Sequence, residues 1–233
     1  LRLDAASPAP HRYDVRMFEI ALPNTPRATN IVQFQAQLDL SPTNAPPSTL
    51  TGSAQALDLT PLYDAFIKTS AAPGAAPPST TAPEVEPDAI DLPIATLIAN
   101  LQIGKLFLRD ATASHIVATG RLDRGVLRID PATMVLNGAP VSATATMDLT
   151  RPGYTYEFLA KTTDLPIEPL MSLSPDPSRR VTGNLSGSLQ IRGAGITGPN
   201  LQKNLAGTFD VGTTNLNLEL TKVRSPMLRS VLN

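Results

Sequence analysis

Apolar and polar residues alternate with period two along several stretches, the pattern of a strand with one buried face. Val32, Phe34, Ala36, Leu38 and Leu40 alternate with Gln33, Gln35, Gln37 and Asp39. Val141, Ala143, Ala145, Met147 and Leu149 alternate with Ser142, Thr144, Thr146 and Asp148. The same holds for Leu185, Gly187, Leu189 and Ile191, and for Leu216, Leu218 and Leu220. One wet face per strand predicts antiparallel pairing, because parallel sheets are usually covered on both sides. Further strands are predicted at Tyr13–Ile20, Leu50–Leu57, Ala95–Arg109, His115–Arg121, Val126–Ile129, Met134–Leu136, Tyr154–Thr162 and Leu205–Val211. Asp123-Arg124-Gly125 and Asn137-Gly138 supply turn residues that tolerate positive φ, so the strands follow one another as a meander.

Helices are few and short in this reading. Thr60-Pro61 supplies an N-cap and a first helical residue, with Leu62 and Phe66 on one face; Ser225-Pro226 repeats the arrangement, and a third helix starts near Pro166. Leu57-Asp58-Leu59-Thr60-Pro61 and Thr163-Asp164-Leu165-Pro166 look alike, either as a degenerate repeat or as two strand-to-helix junctions. Between them, 70–87 is rich in Pro and Ala and lacks large apolar side chains, which predicts a mobile or extended insertion. A loop between neighbouring strands fits it better than a domain linker. The chain thus divides into 1–69 (N-terminal strands and a short helix), a Pro/Ala-rich insertion at 70–92, and 93–233.

Composition narrows the chemistry. With 19 basic and 20 acidic residues the net charge is −1, which leaves no electrostatic excess for nucleic acid. Aromatic residues make up 4% and Trp is absent, so stacking platforms are scarce. Without cysteine there is neither disulfide nor thiolate chemistry. His11 and His115 lack partners at metal-ligand spacing, so exposed or structural roles are expected and no metal or cofactor is. Gly193-Ala194-Gly195-Ile196-Thr197-Gly198 matches G-x-G-x-x-G, but a dinucleotide site also needs a substantial helix within a βαβ unit. Here 199–204 has room for only a turn or two before the next strand, which reads as a glycine-rich connection between antiparallel strands. Asp58 and Asp164 read as helix-start residues, and no catalytic constellation emerges. The expectation is a non-enzymatic protein. The opening Leu1-Arg2-Leu3 reads as that of a fragment whose anchor or targeting signal lies elsewhere.

From Pro93 to Asn217 a particular succession appears. Leu106-Phe107-Leu108-Arg109-Asp110 precedes Arg121-Leu122-Asp123-Arg124-Gly125-Val126, then Leu136-Asn137-Gly138 and the strand to Asp148-Leu149. Asp164-Leu165-Pro166-Ile167 leads to Thr182-Gly183-Asn184-Leu185-Ser186-Gly187, Ile191-Arg192-Gly193-Ala194-Gly195 and Asn204-Leu205-Ala206-Gly207-Thr208-Phe209. This order of strands and turns resembles the C-terminal region of the AsmA-like family, with Tyr13 to Leu62 as preceding strands of the same sheet. One departure is Leu220-Thr221-Lys222-Val223-Arg224, where the family would have a glycine-bearing turn.

The resemblance implies a mainly β fold: a long, curved antiparallel sheet with an apolar inner groove, taco-like, and a few short helices. It further implies a periplasmic location, a parent chain anchored in the inner membrane by a segment outside this sequence, and a role in outer-membrane homeostasis by moving phospholipid or another acyl lipid between the two membranes. No catalytic residues come with it. The groove candidates are Val32, Phe34, Leu38, Val141, Ala143, Ala145, Met147, Leu189, Ile191 and Phe209. The residues taken alone lean towards a dry sandwich, in which a second sheet or the helices cover the apolar face. Such a module would be structural, docking another envelope protein. The resemblance points instead to an open groove.

Overall fold

The computed structural model describes residues 1–41, 46–70, 85–173 and 179–220. It is a single curved sheet of eleven strands whose spatial order is the order of the sequence. The strands are β1 (Arg2–Ala9), β2 (Arg12–Ala21), β3 (Ile31–Asp39), β4 (Ser48–Asp58), β5 (Thr96–Leu108), β6 (Ala111–Asp123), β7 (Val126–Leu136), β8 (Ala139–Asp148), β9 (Thr155–Pro166), β10 (Arg179–Ala194) and β11 (Ala206–Leu220). Helix α1 (Thr60–Ser70) follows β4, α2 (Glu168–Met171) follows β9 and α3 (Gly198–Asn204) follows β10. The expected mainly β class and short helices are therefore present, and Tyr13–Leu62 does join the same sheet.

Several details differ from the sequence expectation. β4 and β5 pair in parallel, in register from Ser48↔Leu97 to Asp58↔Phe107, so the sheet is antiparallel in nine of ten pairings. A parallel neighbour needs a long crossover, which the connection through 59–95 supplies. β1 was not anticipated, because Arg2–Ala9 lacks clean alternation. Val126–Ile129 and Met134–Leu136 belong to one strand, interrupted by a bulge between Ile129 and Ala132. A bulge adds one residue and restores the original face, so the alternation changes phase at Asp130-Pro131 without the strand ending. His115 lies within β6 at φ 51°, at a register shift, and not at a strand start. Asp164 is likewise in a bulge of β9 at φ 52°, and only Asp58 stands at a helix start. The two Asp-Leu junctions are therefore not equivalent. The expected helix at Ser225-Pro226 and the missing turn after Leu220 lie outside the described residues, as does 71–84 of the insertion. Residues 85–92, by contrast, are hydrogen-bonded to the sheet (see below).

The registers align apolar positions across the whole sheet. Leu3, Phe18, Phe34, Gly52, Leu101, Ala118, Ala132, Ala143, Ala160, Leu189 and Phe209 are successive partners from β1 to β11. A second row runs Ala5, Val15, Ala36, Leu50, Ala99, Gly120, Ile129, Ala145, Phe158, Ile191 and Gly207. Neither row contains a polar side chain. At roughly 4.8 Å per strand, ten steps span about 48 Å. The opposite face carries Gln33, Ser53, Gln102, Thr133, Ser142, Lys161, Ser188 and Asp210.

Buried apolar residues are sparse and mostly small: Ala36, Ala54, Leu57, Ala111, Ala113, Leu122, Ala139 and Leu165 among them. Among the described residues no second sheet covers the apolar face, and its middle is half-buried.

Candidate functional site

The apolar face is the candidate site, and the strand ends form its two rims. The floor is narrowest in side-chain volume at its centre. Gly52 is flanked on the same face by Phe34 and Leu101, whose side chains approach to 2.9 and 3.1 Å of the position a Cβ would take. Beyond Leu101 come four alanines in consecutive strands, Ala118, Ala132, Ala143 and Ala160. Bulk returns at both ends, with Phe18 and Phe34 stacked at 6.1 Å between ring centroids, and Phe209 at 79% exposure on the edge strand. Towards the β9–β11 end, Leu136, Val141, Ala160, Leu165, Leu185 and Phe209 line a recess of about 340 Å³.

All ten side chains expected in the groove share this face. Val32, Phe34 and Leu38 lie on β3, Val141, Ala143, Ala145 and Met147 on β8, Leu189 and Ile191 on β10, and Phe209 on β11. Leu101, Ala118, Ala132 and Ala160, at the centre of the floor, were not singled out beforehand. Leu101, Ala118 and Ala160 lie within predicted strands and Ala132 in the gap between the two predicted halves of β7, and strand-to-strand register is needed to line them up.

One rim is clasped by polar residues. Asp58 is buried and accepts bonds from Arg27 Nε at 3.0 Å, Arg27 Nη2 at 2.9 Å and the Thr60 N–H at 3.1 Å. Burial alone would push its pKa up, but the bonds from Thr60 and Arg27 outweigh it and hold the carboxyl at about 2. Fully buried Asn30 ties the loop carrying Arg27 to β4, taking the Asp58 N–H at 2.6 Å and giving its own Nδ2 to Pro23 O. Arg27 also donates to Arg109 O at 2.7 Å and lies 5.0 Å from the Phe107 ring centre.

The opposite rim is crossed by a strap, residues 85–95. Ala95 O accepts from Arg124 N at the β6–β7 turn, the Ile90 N–H donates to Leu149 O, and Pro87 O accepts from Gly153 N. At its far end Glu86 meets the glycine-rich connection. Its carboxylate accepts from Thr197 Oγ1 at 2.6 Å, Ile196 N at 2.9 Å, Asn200 Nδ2 at 2.7 Å and Thr197 N at 3.3 Å. These donors, led by the Thr197 hydroxyl and the Ile196 amide, bring the Glu86 pKa down to about 2. The G-x-G-x-x-G run thus holds a carboxylate of its own chain, and its helix α3 spans only Gly198–Asn204.

Because the folded-state pKa of Glu86 lies below its ordinary 4.5, the clasp is intact above that value and is lost as pH falls through about 2. Glu86→Ala is therefore expected to speed amide exchange at Ile90, Gly153 and Gly195 at pH 5, with amides in β6 unchanged. Uniform exchange across the variant would refute the strap's local role.

His11 occupies the β1–β2 turn at φ 63° and His115 the β6 bulge. Among the described residues no three His, Asp or Glu side chains assemble in metal-binding proximity. No described helix is long and apolar enough to cross a membrane.

Comparison with known proteins places the chain. The model of the AsmA family matches residues 32–218, reaching well before the succession that begins at Pro93. No curated protein and no solved structure matches. With the match covering most of the sheet from β3 to β11, the chain belongs to the AsmA family.

Proposed function

We propose that the uncovered apolar face binds the acyl chains of a lipid and passes them from strand to strand along the rows, as part of an envelope protein that moves lipid between membranes. The observation that carries this reading is the pair of rows crossing all eleven strands without a polar side chain. Each methylene transferred from water to an apolar surface is worth roughly 0.8 kcal/mol, so a sixteen-carbon chain brings on the order of 12 kcal/mol. That is enough to offset the immobilisation of a flexible ligand. A discrete pocket would hold such a chain in one place. A floor that is apolar at every strand offers favourable contact at successive positions, which suits conduction. The alanines at Ala118, Ala132, Ala143 and Ala160 leave the volume a chain needs. Membership of the AsmA family fits a cell-envelope role, and the parent would act in the periplasm from an inner-membrane anchor.

The test is site-specific photo-crosslinking in the intact parent protein. Probes at Ala132 and Ala160 should capture phospholipid, while probes at Ser142 and Lys161 on the opposite face should not. Capture of protein alone at the apolar positions would replace the reading with that of an assembly module docking another envelope protein. Equal lipid capture on both faces would remove the case for the floor.

A further inference from the structure

We infer that α1 and α2 form a lid over one rim of the apolar face, and that Arg109 is its latch. Two-residue hairpins favour Gly, Asn or Asp where φ is positive. The β7–β8 turn on this rim obeys, with Asn137 at φ 49° and Gly138 at φ 88°. The β5–β6 turn does not, since Arg109 stands at φ 52°. A long side chain in that region is strained, and Arg124 adopts it as well, at φ 45° with its side chain exposed, so Arg109 is set apart by its partners.

Arg109 Nε donates to Asp64 Oδ1 of α1 at 2.9 Å, and Nη1 donates to Ser172 O at the end of α2. Its guanidinium lies 5.0 Å from the ring centre of Tyr63, and Tyr63 in turn donates to Leu173 O at 3.1 Å. The two helices, far apart in sequence, are thus joined through one turn residue and through the Tyr63 hydroxyl. Asp110 N adds a bond to Ser172 Oγ at 3.2 Å.

The face beneath this rim is where burial concentrates. Leu57, Leu106, Ala113 and Leu136 face the same side, as does Leu165, and Leu57, Ala113 and Leu165 are all below a tenth exposed. The fastening is nevertheless largely polar and partly solvated, with the Arg109 side chain 28% and Asp64 37% exposed. Such bonds are individually weak, so the helices can leave without unfolding the sheet. The lid guards the apolar face, so its purpose rests on the lipid reading, but its motion can be measured without lipid.

The native chain has no cysteine, so a single introduced thiol reports on one place. Ala113→Cys should react slowly with a maleimide in otherwise native protein. Adding Arg109→Asn, which suits the turn, should raise that rate at least tenfold and leave the melting temperature unchanged or higher. Leu122→Cys, buried at the opposite rim, should keep its rate in the same background. An unchanged rate at position 113, or an equal rise at both positions, overturns the lid. If the rate rises as expected but a fluorescent fatty acid binds neither form, the lid stands and the lipid reading falls.

Discussion

An aspartate in place of Ala143 should lower acyl-chain capture more than tenfold and leave the fold standing. Ala143 sits at the centre of the floor, with Ala132 and Ala160 as its cross-strand partners. Because no second layer covers it among the described residues, a carboxylate placed there stays hydrated in the empty protein. The cost to stability is then small, within about 1 kcal/mol, as for other open positions. A chain lying across the floor would strip that hydration, and burying an unpaired carboxylate costs several kcal/mol. Each 1.4 kcal/mol is roughly tenfold in affinity. Ser142→Asp, one residue away on the opposite face, should leave capture unchanged. The comparison is made by crosslinking yield with the melting temperature of each variant in parallel. If Ala143→Asp unfolds the protein, the face is packed by protein and not awaiting a ligand.

Asp58→Ala should be the most destabilising single change at the rims, by about 2 kcal/mol, the scale of losing hydrogen bonds to a buried charge whose partner Arg27 stays partly solvated. It removes both bonds from Arg27 and the bond to the Thr60 amide at the start of α1. For a chain of this size the melting temperature should fall by roughly 4–8 °C. The linkage has a definite sign. The folded-state pKa of Asp58, at about 2, lies below the ordinary 3.8, so its contribution is complete above that value and disappears as pH falls through about 2. Between pH 5 and pH 2 the wild type should therefore lose stability more steeply than Asp58→Ala. Parallel pH profiles would refute the assignment of this stabilisation to the ionised carboxylate.

How far the sequence led can be judged strand by strand. β3, β8 and β10 were legible because one face is apolar and the other polar without interruption over seven or more residues. β7 was legible only in halves, since the bulge at Asp130-Pro131 inverts the phase that periodicity relies on. β1 was hidden by its short and mixed residues, and its place is set by pairing with β2. The groove candidates were legible one strand at a time, but the eleven-membered rows depend on register, which alternation does not contain. Glu86 and Arg109 were invisible as rim fasteners for another reason. Each acts on partners more than forty positions away, and neither residue type marks such a contact in advance.

The consecutive strand order also bears on how the sheet is assembled. Nine of its ten junctions join neighbours in an antiparallel hairpin arrangement, and several need only a tight turn, so one strand can template the next as a zipper does. The β4–β5 junction alone must close the connection through 59–95, an entropic cost about 2 kcal/mol larger than for a tight turn. The kinetic bottleneck therefore belongs at that junction. Shortening that connection should accelerate refolding, whereas lengthening a hairpin turn elsewhere should slow it only locally.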